Sequence, residues 1–349
     1  MNITNRHLLP QPIVDAVRND GYSKGKAHIS ATGLIRPPRM RALEARHDAQ
    51  IETDVVDMIW SLLGQSIHEV LARAEPAKRL RQAWAHVVAA ILAEASDAGA
   101  QLIEALAPLV EKISKQNPTG RVAEQRLETT LDGWVISGEA DLWHEDGLLD
   151  DYKVTTVYTY QKAMEGDKSE WEQQLNIYAW LYGLHSMPVT KLRIVAILRD
   201  WKSSEVVKEG YPDKQVKVVW YPLWPVEKTI AFVKERIALH QSVEKLNDDE
   251  LPECTDEEMW LKPEAWAVRK KGAAKASKVF KIQGPEGEQQ AEAYAKEKGE
   301  AYEVEHRLGE ATRCLRFCSA APFCSQLASY RAAAWGGRGE LKGQDEKDS

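Results

Sequence analysis

The sequence predicts an α/β fold, a mixed central sheet with helices on both sides. Three observations carry that expectation. An apolar run beginning at Trp134 (WVISGEADLW) reads as a strand, turns at Glu145-Asp146-Gly147 and returns as a second strand, LLDDYKV. Two further strand segments follow, Lys191 to Trp201 and Gln215 to Leu223. Helical periodicity marks Ile51 to Ala74, Glu170 to Gly183 and Pro225 to Gln241.

Taken in order, residues 1 to 26 read as a polar surface arm with a short helical patch around Ile13 to Val17, lying free or ordering against a partner. His28 to Leu34 has helix-start chemistry in Ser30 and Thr32. Arg36, Arg39 and Arg41 then stand ahead of Glu44 and Arg46; by composition alone this is a solvated loop. In the Ile51–Ala74 helix, Val56, Ile59, Leu63, Ile67 and Val70 form the apolar stripe. His68 lies off that stripe, on a line through Asp57, Ser61, Gly64 and Ala72 whose small residues suit a close approach to another element. An isolated helical histidine is ordinarily structural or solvated. Ala77 to Gln116 predicts two alanine-rich helices broken near Ser96-Asp97-Ala98-Gly99, with Val87, Leu102 and Leu109 among the packing residues and no chemistry of their own. Asn117-Pro118-Thr119-Gly120 ends this inserted hairpin. Arg121 to Leu131 opens the sheet, with Glu124 on it. In the Glu170–Gly183 helix, Trp171, Gln174, Tyr178 and Leu181 share one stripe, so Gln174 and Tyr178 lie one turn apart on one face. The last core helix has Pro225 near its first turn, where a missing N–H costs little.

The central hairpin carries the chemistry. Side chains alternate across a strand, so Asp151 and Lys153 point to one face while Asp150 and Tyr152 point to the other. Paired strands would set Asp141 beside Asp151. Two carboxylates a few ångströms apart repel, and the usual remedy is a hard divalent cation such as Mg²⁺ with a lysine nearby.

Gly64…His68, Gly138-Glu139-Ala140-Asp141, Asp151-Tyr152-Lys153 and Gln174…Tyr178 occur in this order. Over residues 28 to 326 the chain resembles the PD-(D/E)XK nucleases, in their RecB-like branch. An Asp-x-Lys alone is nearly worthless as a signal; the elements in sequence make it a strong one. The resemblance implies a restriction-endonuclease-like core in which His68, Asp141, Asp151 and the carbonyl of Tyr152 hold one or two Mg²⁺ or Mn²⁺ ions. Glu124 would contact a second metal or pair with Arg126. Lys153 would orient or deprotonate the attacking water, orientation being favoured, or stabilise charge on the phosphate, and Gln174 and Tyr178 would flank the site and position the strand being cut. The implied activity is metal-dependent DNA hydrolysis by an exonuclease of recombination, repair or processing, partnered by a recombinase, helicase or single-strand-binding protein. The alternative is a catalytically idle scaffold of the same fold that binds DNA or protein. Beside such a core, Arg36, Arg39 and Arg41 become candidates for gripping phosphates.

Composition bounds these expectations loosely. An apolar fraction of 44% and a charged fraction of 28% describe a soluble globular protein with ample core. The net charge of −7 neither suggests nucleic acid nor excludes it, because local patches decide phosphate binding. No basic-then-apolar signal opens the chain, and the longest apolar run, Val87 to Ala93, is far too short to span a bilayer, so the expectation is a cytoplasmic protein. The expected organisation is an arm (1–26), a core (27–246) with a helical insertion (77–118), a basic and cysteine-bearing region (247–334) and a disordered tail (335–349). Lys262 to Lys281 sets seven lysines and arginines against Glu264, locally about +6, with Lys270 and Lys271 as candidate DNA contacts. Glu286 to Glu305 reads as a charged helix packed through Ala291, Tyr294 and Ala295.

Cys314, Cys318 and Cys324 are spaced C-x₃-C-x₅-C, and Cys254 is available as a fourth ligand. In a cytosolic chain such crowding argues for metal rather than disulfides, and sulfur-only ligation suits zinc or an iron–sulfur cluster. The triplet resembles the C-terminal [4Fe–4S] staple of AddB-type and CRISPR-adaptation nucleases, which implies that cluster here, with structural Zn²⁺ as the alternative. One departure stands out: in those proteins the lone cysteine usually precedes the core, whereas Cys254 follows it.

Overall fold

The computed structural model describes residues 2–19, 25–93, 97–115, 119–282 and 284–335. The chain divides into two compact units, one of residues 3–35 and 53–240, the other of residues 36–52 with the chain from Gln241 onward. Residues 36–52, expected inside the 27–246 core, therefore cluster with the C-terminal segment. The reason is apolar packing: Ala42 and Leu43 bury against Val243, Leu251 and Ala320. The tail from 336, residues 20–24 of the arm, Ser96 of the hairpin break and Asn117-Pro118 lie outside the described residues.

The first unit is a mixed α/β structure. Its strands are β1 (Ile29–Ser30), β2 (Arg121–Leu131), β3 (Trp134–His144), β4 (Leu148–Thr155), β5 (Lys191–Leu198) and β6 (Val216–Tyr221). They form one sheet in the order β1-β3-β4-β5-β6, with β2 on the other edge of β3. β1–β3 and β4–β5 are parallel, while β2–β3, β3–β4 and β5–β6 are antiparallel. Period-two alternation decides the buried face of β5, where Leu192, Ile194, Ala196 and Leu198 are buried and the residues between them are not.

The flanking helices are α1 (Gln11–Arg18), α2 (Ala31–Ile35), α3 (Ile59–Ala72), α4 (Pro76–Ala93), α5 (Asp97–Lys115), α6 (Val157–Met164), α7 (Ser169–Leu184) and α8 (Val226–Ser242). Ser30 caps α2 as its chemistry predicts, its Oγ accepting from Gly33 N at 3.0 Å. Helix α6 had no counterpart in the sequence reading; Thr156 caps it, and Asp200 accepts from Val157 N.

Several expectations need correction. α1 is not a free arm, because Val14 and Val17 bury against Val55. The Ile51–Ala74 helix starts at Ile59, since Asp54 accepts from Val56 N and holds a 3₁₀ turn over Val55–Met58. The stripe expected to bury α3 is partly solvent-facing, with Val56 39% and Val70 57% exposed, while Ala72 packs with Ala123 and Leu142. Gly64 meets nothing within 4 Å of where a Cβ would stand, so close packing does not require it. In α4 and α5, Val87, Leu102 and Leu109 are exposed rather than packed.

In the second unit, β7 (Leu261–Lys262), β8 (Ala265–Lys270), β9 (Lys278–Phe280), β10 (Tyr302–Arg307) and β11 (Glu310–Ala311) form two small sheets, β9-β8-β10 and β11-β7. The helix expected over Glu286–Glu305 spans Gly284–Lys298 instead. Gly299, at φ +95°, ends it, and the alternating run that follows pairs with β8 as β10. Ala291 is buried as expected, with Tyr294 and Ala295 packed beside it. No helix of the described residues is long and apolar enough to cross a membrane.

Candidate functional site

The acids sit where the sheet edge opens. β1 pairs with β3 as far as Ser30↔Ser137, and β4 takes up the same edge at Leu142↔Asp150. Gly138 to Asp141 lie between. The Asp141 carboxylate fills part of the gap, with Oδ2 accepting from Tyr152 N and Oδ1 lying 2.9 Å from His68 Nδ1 on α3. On the opposite edge the β2–β3 ladder pairs Ala123↔Leu142 and Gln125↔Ala140. Glu124, between those pairs, has φ +46°, a left-handed conformation that costs a residue with a side chain about 1–3 kcal/mol.

Asp151 and Lys153 share a face, as strand alternation requires. Lys153 Nζ stands 2.6 Å from the buried Asp151 Oδ2, an ion pair. Gln174 on α7 ties the pair together: its Nε2 donates to Asp151 Oδ1 at 3.0 Å and to the Tyr178 hydroxyl at 2.9 Å, and its Oε1 accepts from Lys153 Nζ at 3.2 Å. On the other face, Asp150 is held by Arg193 and His144, a structural anchor for β4.

His68, Glu124, Asp141, Asp151, Lys153, Gln174 and Tyr178 all line one cleft of about 220 Å³. A second recess of about 200 Å³ shares His68, Glu124 and Asp141 with it, and Tyr152 lines that one. Arg126, weighed as a partner of Glu124, donates to Glu139 at 3.0 Å. Burial pushes the Asp151 carboxyl up to about 6, with Lys153 opposing and Asp141 adding. Burial pulls the Lys153 ammonium down, but Asp151 and Asp141 outweigh it and its pKa ends raised. The hydrogen bond to Asp141 raises His68 against the effect of burial.

Among the described residues no three His, Cys, Asp or Glu side chains are grouped as ligands round a single ion. The residue types present, one imidazole and the carboxylates of Asp141 and Asp151, nevertheless suit a hard divalent cation. Two supporting roles are visible only in the structure. Gly138 is needed for packing, because a Cβ there would stand 2.5 Å from Leu181 Cδ1 on α7. The Tyr182 hydroxyl donates to Gln125 O and accepts from Ala140 N, stitching β2 to β3 beside Glu124. Its position one turn after Tyr178 was the available signal.

The four cysteines are free and half-buried in the second unit, and they are not arranged as a group able to hold a metal ion. Burial pushes Cys254 up to about 12, helped by Glu258 and the other three thiols; it pushes Cys318 up to about 11 and raises Cys314. The thiols therefore share one neighbourhood. Gln326 secures Cys254 from both sides, accepting from its N–H and donating to its carbonyl at 2.8 Å each. Cys318 and Cys324 pack against the cluster of Ala42, Leu43, Val243, Leu251 and Ala320.

The Pro38–Arg46 helix changes the standing of the arginines. Arg39, expected to grip phosphate, is 3% exposed, and its Nε donates to Cys324 Sγ at 3.3 Å. Burial of the helix against Val243 and Leu251 places it there. Arg36 pairs with Glu44 at 2.7 Å, and burial lowers the pKa of Arg41. Lys270 and Lys271 are exposed at the β8–β9 hairpin, whereas Arg269 pairs across the sheet with Glu303.

No family model and no curated protein matches this chain. Among solved structures it is similar to SSO0001, at 17% identity and a TM-score of 0.36 over 66% of this chain and 85% of that one. It is also similar to a phage-related exonuclease from Haemophilus somnus 129PT, at 18% identity and a TM-score of 0.26 over 43% and 70%. An alkaline exonuclease from Laribacter hongkongensis shares 14% identity at a TM-score of 0.25 over 41% and 70%. At such scores the functional reading rests on the side chains described above.

Proposed function

We propose that this chain is a divalent-metal-dependent deoxyribonuclease hydrolysing phosphodiester bonds, of the PD-(D/E)XK type and its RecB-like branch, acting as an exonuclease in recombination, repair or DNA processing. The observation that carries this reading is the meeting of His68, Asp141, Asp151, Lys153, Gln174 and Tyr178 in one cleft, with Lys153 Nζ 2.6 Å from the buried Asp151 carboxylate. His68, Asp141, Asp151 and the Tyr152 carbonyl would hold Mg²⁺ or Mn²⁺, and Glu124 would serve a second ion. When bound, such an ion supplies Lewis acidity toward a phosphate oxygen and an attacking water.

The chain's own side chains do the rest. Lys153, kept cationic by Asp151 and Asp141, is a fixed positive charge that orients water and steadies phosphate rather than a base that takes a proton. Gln174 fixes Lys153 against Asp151, and Tyr178 positions the strand. The thiols would close on a [4Fe–4S] cluster or a structural Zn²⁺, and a reducing cytoplasm would keep them available. Lys270, Lys271, Arg36 and Arg41 would contact the DNA backbone. A recombinase, helicase or single-strand-binding protein would be the partner.

Digestion of end-labelled linear, closed circular and single-stranded DNA with Mg²⁺ or Mn²⁺, and with EDTA, tests this. The expected result is cutting from ends, none in EDTA, and none by Asp151→Ala or Lys153→Ala, each still shifting DNA on a gel. Metal-dependent cleavage persisting in both variants would remove this site from consideration. Binding without any cleavage by the wild type would mark an idle scaffold.

A further inference from the structure

The hollow that holds the acids does not end at His68 and Asp141. The second recess, of about 200 Å³, shares those two residues and Glu124 with the first cleft and contains neither Lys153 nor Gln174. The hydrolysis proposed above uses only the shared residues and the Tyr152 carbonyl. The floor of this recess is apolar: Ala72, Ala123 and Leu142 form one buried cluster, and Leu71 lines the recess beside them. One wall is Tyr152, which strand alternation turns to the face opposite Asp151 and Lys153, and whose ring meets the His68 imidazole edge to face at 6.2 Å.

Charge decides what such a recess can hold. Three carboxylates line it, those of Glu75, Glu124 and Asp141, against the single guanidinium of Arg121. Glu75, 6% exposed, is itself held by that guanidinium at 2.9 Å and by the Thr119 hydroxyl at 3.0 Å. A phosphate would meet more negative than positive charge here and is a poor occupant. A nucleobase is neutral, offers a flat face to an aromatic ring or a guanidinium plane, and carries amino groups from which carboxylates accept. The volume, below the about 300–1,000 Å³ of drug-sized sites, suits a single base.

We propose that this recess receives the base of the nucleotide adjoining the scissile phosphate, stacked on Tyr152 with Arg121 beside it. The inference rests on the nuclease reading and names its substrate class. A base paired and stacked within a duplex cannot enter, so the strand must arrive single or with a frayed end.

The test is digestion, with Mg²⁺ or Mn²⁺, of an end-labelled single-stranded oligonucleotide and of copies in which one nucleotide is abasic. The step that would place the missing base in the recess is expected to slow by about 5–150-fold, the worth of one stacked base, leaving a pause in the product ladder. Tyr152→Phe keeps the ring and should keep the pause. Tyr152→Leu should slow cutting of the intact strand and lose the pause, whereas a ring with a merely structural role would slow both substrates alike. A ladder indifferent to the missing base refutes the inference, and so does Tyr152→Leu with the full pause, or a blunt duplex cut as fast as the single strand. If Tyr152→Leu does not fold, Ala74→Trp at the exposed rim decides the question. It should slow the intact strand and spare the abasic one; equal slowing, or none, refutes the recess. A wild type that cuts no DNA brings down the nuclease reading and the inference with it, whereas cutting without a pause overturns the recess alone.

Discussion

A single methyl group at position 138 tests how sheet and helix hold the acidic cleft together. A Cβ there would stand 2.5 Å from Leu181 Cδ1 and 3.0 and 3.1 Å from Cδ1 and Cε1 of Tyr178. Carbon atoms pack at about 3.5–4.0 Å, so Gly138→Ala demands a displacement of about 1 Å. Leu181 is 0% and Tyr178 5% exposed, so neither can swing into solvent and the demand falls on α7 itself. Overpacking of this kind costs about 1–3 kcal/mol, and each kcal/mol lowers Tm by about 2–4 °C in a unit of this size. The effect on the site is larger. Gln174 rides on α7, and its bonds of 3.0 Å to Asp151 and 3.2 Å to Lys153 would stretch beyond hydrogen-bonding range. Misplacement by about 1 Å costs about 100-fold in rate. Thermal unfolding and cleavage of end-labelled DNA by Gly138→Ala, Leu181→Ala and the double variant measure both effects. The double variant restores room, so the two substitutions are expected to be less harmful together than their separate losses add up to. Wild-type melting and cleavage in Gly138→Ala would refute the reasoning, and losses that simply add would place the cause elsewhere than in α7.

Other outcomes follow from the same geometry. The Asp151 pKa is raised, to about 6, so the group's contribution to stability is full below its unfolded pKa and is lost as pH rises through about 6. A divalent cation compensates only the ionised form, so Mg²⁺ is expected to raise Tm more at pH 8 than at pH 5; equal shifts would exclude Asp151 as a ligand. Arg193→Met leaves the Asp150 carboxylate, 3% exposed, with His144 alone and is expected to cost about 3–5 kcal/mol in urea unfolding. Adding Asp150→Asn should return part of that, and no relief would mean the pair is not the source. Gln326→Ala strips both bonds from the Cys254 backbone and is expected to cost about 1–3 kcal/mol, read by urea denaturation of the C-terminal unit. An unchanged midpoint would show that Cys254 is held by other contacts.

Much of the first unit was legible in the chain itself. Arg121–Leu131 was read to the residue, β4 and α7 nearly so, because alternation and one-turn spacing are local properties. The same locality put Asp151 and Lys153 on one face and Gln174 above Tyr178, and the structure brings them together with His68 and Asp141. Less legible were elements whose partners are distant in sequence. The α3 stripe was read from periodicity, yet Val70 faces solvent, because periodicity identifies a face and not what waits to cover it.

By itself, then, the chain determined which residues share a strand face or a helix turn, and in what order the acids, lysine and amide arrive. Tertiary structure alone decided that Glu124 is held at positive φ opposite Asp141, that Gly138 must be small beneath Leu181, and that Arg39 lies against a cysteine sulfur instead of facing solvent. Backbone periodicity is written residue by residue. The surroundings that bury a charge or crowd a Cβ come from segments far apart along the chain, such as the 285 positions separating Arg39 from Cys324.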